Sequence, residues 1–573
     1  MSKYSSQVFD SKRTKTEMYG AKLLLETLAK HGVQYIFTVP GRESEAILFN
    51  ESPNLEIILT AIEFTAGFAA YAYGIVSGRP QVVFSTLGPG VANLANAIYS
   101  AYADRVPIIF ITAQVERSRI NYNQTHQCIN AVKMYESVTK FGYEINDVRE
   151  INNVIEKAFQ ITQVEPLGPA LISIPIDVLK EDILIDYQSH SEVKFDINTQ
   201  SHVDSYGIDL VVSKLKEAEQ PLVYVGNEVI RSGCVDLIRV LCETYKIPMV
   251  SAYDAKGVLP TNHQLNYFAC TSYAQGILGI NPDKVIFEPI DCIIAFGYDW
   301  KDDVFPGKHF SYGKNKTLIN FSGNMPDEIR SKFIHIEGDI KAKVQILLNH
   351  LAQEKIFFNK PHDISIIKEA IIKKQANLEA PQGYINIISV LNIINESSVV
   401  LVSDVGTFRH YAVLFGHTNK PNFFLTSAGS SSFGTGLPLG LGARLAYTDK
   451  DTPIVVLTGD GGFNTIVGDL RTLRKLDLNI TIIVLNNNKN GLINIYQQKG
   501  HGQTFSPAVE HAEASFVKIA QGYNCQAFRV FSSKELRNKL KQALEIDSPV
   551  VIEVSVYYPQ EDLERLTRST DLA

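Results

Sequence analysis

The chain has 573 residues, too many for one hydrophobic core and enough for three or four domains of ordinary size. With 45% hydrophobic and 20% charged residues it has the apolar side chains to fill several cores, which excludes a disordered chain. A net charge of −7 gives no basic face for nucleic acid, and no run of about 18 apolar residues offers a membrane span.

The amino-terminal stretch MSKYSSQVFDSKRTKTEMYG is polar and lacks the apolar segment of a signal peptide, so a cytoplasmic location is expected. Residues 19–31 then show helical spacing, and short β-branched runs follow in chain order: EIILTA, QVVFSTLG, PIIFIT and ALISIP. Beyond a polar stretch at 187–205 comes a second helical pattern at 207–218, followed by PLVYVG, CIIAFG and TLINFS. A second linker is expected at 359–383, charged and holding Pro361 and Pro381. After it come SVVLVS, PIVVLTGDG, ITIIVLNNN and VVIEVSV. Buried strands alternating with helices predict an α/β protein of three doubly wound parallel-sheet domains, at 1–190, 205–355 and 383–573. The cysteines Cys128, Cys234, Cys242, Cys270, Cys292 and Cys525 form no CxxC pair, so neither a zinc site nor a disulfide framework is expected, and a reducing compartment fits.

The strand PIVVLTG runs straight into Gly459, Asp460, Gly461 and Gly462 and then a helix, which brings bare backbone N–H groups up to where diphosphate oxygens can bind. A diphosphate needs a hard cation, and Mg²⁺ takes one or two protein oxygens alongside phosphate oxygens. Asp460 supplies a carboxylate. A second strand ends at Asn486 and Asn487, and the 27 positions from Asp460 to Asn487 allow strand, helix and adjacent strand. Both oxygens then meet at the carboxyl edge of a parallel sheet.

On these residues the chain resembles the thiamine-diphosphate enzyme superfamily, whose signature is GDG followed by NN after this interval. The resemblance implies pyrimidine-binding, central and diphosphate-binding domains. It implies Mg²⁺ held by Asp460, the side chain of Asn487 and the carbonyl of Lys489, with Gly461, Gly462, Asn490, Gly491 and Leu492 around the diphosphate. The cofactor's aminopyrimidine deprotonates the thiazolium carbon when a carboxylate stabilises its imino form. Glu63, in LTAIEFTAGFAAYAYG, stands between a strand and a helix of small and aromatic residues, where the superfamily carries its activating Glu ahead of a GPG turn, here Gly88, Pro89 and Gly90. Because relatives draw this Glu and the diphosphate site from different subunits, a homodimer or homotetramer is expected. Phe433 aligns with the bulky residue that bends the cofactor.

The strings THQC, AKGVLP, GYDWKDD, FRHY, TSAGSSSFG and NGLINIYQQKGH look like N2-(2-carboxyethyl)arginine synthases, enzymes of antibiotic biosynthesis. That resemblance implies D-glyceraldehyde 3-phosphate as donor, an acryloyl-cofactor intermediate, and L-arginine or a similar amino acid as acceptor. Arg409 would fork a phosphate and His410 add a hydrogen bond. His126 and Gln127 would serve proton transfer, and Tyr273 and Asp303 would lie near substrate. Val405, Gly406, Thr407, Phe408, Ser431, Ser432 and Tyr558 would border the cofactor. The alternative is an acetolactate synthase-type 2-oxoacid decarboxylase and carboligase. It shares Glu63, Asp460 and Asn487, so the cofactor does not separate the two. A cofactor-binding protein without catalysis would have lost the activating carboxylate or a magnesium ligand, and neither loss appears.

Overall fold

The computed structural model describes residues 17–50, 55–122, 124–184, 205–269, 271, 273–299, 316–322, 330–354, 356, 358, 361–449 and 451–568. It contains three parallel-sheet α/β domains, and every expected strand run forms a strand. The chain divides into two compact units, the first from residues up to Gly67 with Pro80–Ile98 and Pro107–Asn198. The second holds everything after position 198 together with two helical pieces, Phe68–Arg79 and Tyr99–Val106.

In the first unit, β1 (Tyr35–Thr38), β2 (Glu56–Leu59), β3 (Gln81–Ser85), β4 (Ile108–Gln114), β5 (Phe141–Glu144) and β6 (Ala170–Pro175) form a parallel sheet of order β2-β1-β3-β4-β6-β5. Every residue of β3, β4 and β6 is buried, as befits strands covered on both faces. Three helices carry or support candidate site residues. They are α1 (Glu63–Ser77), which begins four residues after β2, α2 (Pro89–Asn93), which opens with Pro at its first turn, and α3 (Ala95–Ala103).

The second unit contains two sheets. The central one joins β7 (Pro221–Val225), β8 (Met249–Ser251), β9 (Asn266–Ala269), β10 (Cys292–Phe296), β11 (Thr317–Phe321) and β12 (Ile334–His335) in the order β9-β8-β7-β10-β11-β12. Between the central sheet and the last one lies α4 (Ser365–Ala376), where a linker was expected. Its sequence SIIKEAIIKKQA has good helix formers but buries only Ile367, so its apolar stripe is too thin to register as a helix pattern.

The last sheet has seven strands: β13 (Ile385–Asn386), β14 (Val400–Ser403), β15 (Phe424–Leu425), β16 (Ile454–Gly459), β17 (Ile480–Asn486), β18 (Gln526–Val530) and β19 (Val550–Tyr557). Their order is β13-β19-β17-β16-β14-β15, with β18 also paired to β19. Its helices include α5 (Thr407–Phe415), α6 (Asp460–Ile466), α7 (Gly491–His501) and α8 (Gln560–Arg568). Among the described residues no helix is long and apolar enough to cross a membrane.

Candidate active site

The three neighbouring strands β14, β16 and β17 each end in a helix start. β14 passes through Asp404 and Gly406 into α5, Gly459 of β16 is followed at once by Asp460 of α6, and β17 leads through Asn487 and Asn490 into α7. Because the strands are parallel, three helix amino-termini arrive at one sheet edge, and their unpaired N–H groups make that edge attractive to an anion. A cavity of about 360 Å³ lies there. Its lining includes Val405, Gly406, Thr407, Phe408, Phe433, Asp460, Gly461, Gly462, Asn487, Lys489, Asn490, Gly491, Leu492 and Tyr558, which the sequence suggests, and also Gly459, Ile493 and Leu485, the last of which it does not. Ser431 and Ser432 are not in the lining; they lie on the adjoining loop, where Ser431 has a left-handed backbone at φ 49°.

Asp460 is 4% exposed. Its Oδ1 accepts the amide of Gly461 at 3.0 Å, whereas Oδ2 has no hydrogen-bond partner among the described residues, with His511 Nδ1 at 3.4 Å. Burial raises the carboxyl's pKa, partly opposed by the Gly461 amide and by His511. A buried, incompletely compensated carboxylate at the mouth of three helices fits a hard cation shared with phosphate. Among the described residues no group of three or more His, Cys, Asp or Glu could hold a metal by itself, so a cation here would depend on Asp460, amide and carbonyl oxygens and the phosphates. Thr407 Oγ1 is a second buried polar atom without a hydrogen-bond partner among the described residues, and a Cβ on Gly491 would stand 2.9 Å from it. Thiamine diphosphate with a magnesium ion therefore suits the residues present.

The two asparagines part company. Asn486 is buried, its Nδ2 donates to Glu553 Oε1 at 3.0 Å and its Oδ1 accepts the amide of Asn488, so its side chain is used inside the sheet. Asn487 lines the cavity. Tyr558 packs 5.8 Å from the Tyr411 ring, and burial together with the Asp460 charge pushes its phenol pKa up.

The loop 426–434 that carries Phe433 is fastened from both sides. The Asp104 carboxylate, just past α3, accepts Tyr71 Oη at 2.8 Å, Ser427 Oγ at 3.2 Å and the Gly429 amide. Ser100 and Ser430 share a hydroxyl hydrogen bond of 2.6 Å. On the other side the buried Arg409 donates from Nη1 to Ser427 O at 2.9 Å and from Nη2 to Ser431 Oγ at 3.2 Å, leaving Nε without a hydrogen-bond partner among the described residues. Phe433 is held out at 51% exposure on the cavity wall.

His410 turns to the central domain. Its ring stacks on Tyr273 at 3.5 Å between centroids, its Nδ1 shares a hydrogen bond with Thr271 Oγ1, and Tyr273 Oη meets Tyr496 Oη of α7 at 2.8 Å. Burial, reinforced by the Arg409 charge, holds the imidazole pKa well below its usual value, so it is neutral at pH 7. Asp303 lies outside the described residues.

In the first unit Glu63 opens α1 at 7% exposure, and its Oε2 accepts Asn93 Nδ2 of α2 at 3.0 Å. A Cβ on Gly90 would come 3.3 Å from Glu63 Oε1, so the GPG turn lies against the carboxylate. His126 and Gln127 are exposed, and Gln127, at φ 59°, packs on Gly88, where a Cβ would meet it at 2.8 Å.

Three residues of these sites carry no motif that marks them in the sequence. Asp404 is buried and accepts the Val405 and Thr435 amides through Oδ1 and Thr458 Oγ1 through Oδ2. It also explains Gly462, whose Cβ would stand 2.6 Å from that carboxylate. An acid directly after the strand SVVLVS was the available signal. Asp104 and His511 sit in segments of no strong pattern, and only the folded contacts single them out.

Three family models match the chain. Residues 18–134 match the thiamine pyrophosphate enzyme N-terminal TPP binding domain, residues 208–347 the thiamine pyrophosphate enzyme central domain, and residues 404–554 the thiamine pyrophosphate enzyme C-terminal TPP binding domain. Among similar proteins, a probable acetolactate synthase large subunit of Methanocaldococcus jannaschii is 28% identical over 94% of this chain and 92% of its own. The acetolactate synthase of Bacillus subtilis is 26% identical over 94% and 93%. The mitochondrial acetolactate synthase of Schizosaccharomyces pombe is 28% identical over 94% and 83%. With each of the three sheets matched in order, the chain belongs to the superfamily of thiamine-diphosphate-dependent enzymes.

Proposed function

We propose that the protein is a thiamine-diphosphate-dependent carboligase of acetolactate synthase type. It would release carbon dioxide from a 2-oxoacid such as pyruvate and join the remaining acyl carbon to the carbonyl of a second 2-oxoacid. The observation that carries this reading is the alignment of proteins of that name over more than nine-tenths of the chain. When bound, the cofactor supplies a carbon acid that attacks a carbonyl and accepts the electron pair released on decarboxylation. The residues then divide the work. Asp460, the Asn487 side chain and the Lys489 carbonyl would hold Mg²⁺, the amino-termini of α5, α6 and α7 would bind the diphosphate, and Phe433 would fix the cofactor's bend. Glu63 would hold a proton against the aminopyrimidine nitrogen, and His126 and Gln127 would manage protons at the substrate. Since Glu63 and the diphosphate residues come from different subunits in the superfamily, a homodimer or homotetramer is part of the proposal, as is a cytoplasmic location. Incubation with pyruvate, thiamine diphosphate and Mg²⁺ should yield acetolactate; carbon dioxide without a carboligation product would remove the carboligase reading.

A second reading, N2-(2-carboxyethyl)arginine synthase, is supported by the buried Nε of Arg409, a donor without a hydrogen-bond partner among the described residues. Its other two nitrogens are engaged by Ser427 and Ser431, which weighs against the bidentate fork expected of it. A carboxyethyl adduct of arginine formed from glyceraldehyde 3-phosphate, seen by mass spectrometry, would decide for this reading.

A further inference from the structure

Helix α5 has a cavity at each end. Its amino-terminus borders the diphosphate pocket, and its carboxyl-terminal turn, from Val413 to Phe415, borders a separate cavity of about 330 Å³ that shares no lining residue with the first. The nine residues of α5 separate the two by roughly 13 Å of helix. The second cavity has a one-sided charge. Lys256, His263, Lys368 and His417 line it, and no Asp or Glu is among its described lining residues. Glu243, about half exposed, stands 3.4 Å from His263 Nε2.

Lys256 is the centre of this arrangement. It is 7% exposed, and its Nζ donates to Val413 O at 2.5 Å and Gly416 O at 3.0 Å. Those bonds cap the carboxyl end of α5 and account for two of the ammonium's three protons. The Phe424 ring centroid lies 5.2 Å from Nζ, and among the described residues no carboxylate is bonded to the ammonium. Burial lowers the Lys256 pKa to about 7, with no carboxylate among the described residues raising it again, and the Lys256 charge adds to the burial that depresses His417. Apolar side chains, Ile371 and Leu414 among them, complete the wall.

We propose that this cavity is a second ligand site, which takes a small organic anion with its carboxylate or phosphate toward Lys256 and an aliphatic body against Ile371 and Leu414. The site is distinct from the cofactor pocket, and occupation would stiffen the carboxyl end of the helix whose other end bears Thr407 and Phe408. An anion there also favours the protonated ammonium, so binding takes up protons from solution.

The test is titration calorimetry of the full-length protein loaded with thiamine diphosphate and Mg²⁺. Isobutyrate, inorganic phosphate and the neutral isostere isobutyramide are compared in two buffers of different ionisation enthalpy slightly above neutral pH. Isobutyrate is expected to bind with proton uptake and isobutyramide not to bind. Lys256→Met should weaken isobutyrate by about tenfold or more. Since Lys256 also caps α5, the exposed pair Lys368→Met and His417→Gln provides a variant that keeps that cap, and it should weaken binding as well. Equal binding of isobutyramide, no effect of the exposed pair, or no binding of isobutyrate would each overturn the proposal, and binding of phosphate alone would overturn the organic-anion assignment.

Discussion

Replacing Asp460 by asparagine should move stability in opposite directions in the free and the loaded protein. In the free protein the carboxylate is buried, and Oδ2 has no hydrogen-bond partner among the described residues. Its pKa is raised, chiefly by burial. A carboxyl whose folded pKa exceeds its unfolded one contributes stability that is present at low pH and lost as pH rises through the folded pKa. Near neutral pH the free wild-type protein therefore carries the penalty, of order 1–3 kcal/mol for an unsatisfied buried group, and Asp460→Asn should relieve part of it. For a chain of 573 residues the unfolding entropy sets a scale of about 1 °C per kcal/mol, so the midpoint of the free variant should rise by about 1–2 °C. Cofactor and metal work the other way. At ligand concentrations about 100-fold above the dissociation constant the wild type gains about 2.7 kcal/mol, whereas the variant, with its metal-facing charge gone, gains little. Thermal melts of both proteins with and without thiamine diphosphate and Mg²⁺ measure all four states. A free variant that melts below the free wild type near neutral pH, or one that gains as much from the cofactor, would refute the reasoning.

The asparagine pair gives a contrast within one sequence motif. Asn486→Ala strips the fully buried Glu553 of a hydrogen bond and should cost about 1–3 kcal/mol in denaturant unfolding. Asn487→Ala should leave unfolding nearly unchanged and raise the Mg²⁺ concentration needed for activity about 10- to 100-fold. Asp104→Ala removes the acceptor for Tyr71, Ser427 and Gly429, so the loop bearing Phe433 should loosen, with about 1–3 kcal/mol lost and weaker cofactor binding by fluorescence titration. Asp104→Asn should be milder, because the two hydroxyls can rotate to accept from its amide. Lys256→Met should lower the melting point through the lost caps on Val413 and Gly416.

What could be read from the sequence was whatever is local. The runs PIVVLTGDG and ITIIVLNNN declare strand, turn and ligand oxygen within a few residues of one another, so the cavity edge at Asp460, Gly461, Gly462 and Asn487 was legible. Short or edge strands were not singled out, such as β1 and the two-residue β13, because so few positions establish no period. The helix α4 was hidden by its charged, thinly buried sequence. Long-range partners were beyond reach for a different reason. Arg409 is evidently a cation, but that its guanidinium would be taken by Ser427 and Ser431, 18 and 22 positions on, depends on where the loop 426–434 folds back. Asp104 likewise shows no motif, and its meaning arises only when residues more than 300 positions away arrive beside it.

Glu63 carries the chemical claim that the family resemblance and the fold together make. It is buried, opens α1 and is hydrogen-bonded to Asn93. The most direct measurement is hydrogen–deuterium exchange at the thiazolium C2 of bound thiamine diphosphate, followed by quenched-flow NMR in the wild type and Glu63→Gln. Exchange should be fast in the wild type and slowed by about 10²- to 10⁴-fold in the variant at saturating cofactor. Exchange no faster than in free cofactor, or equally fast in Glu63→Gln, would contradict the account.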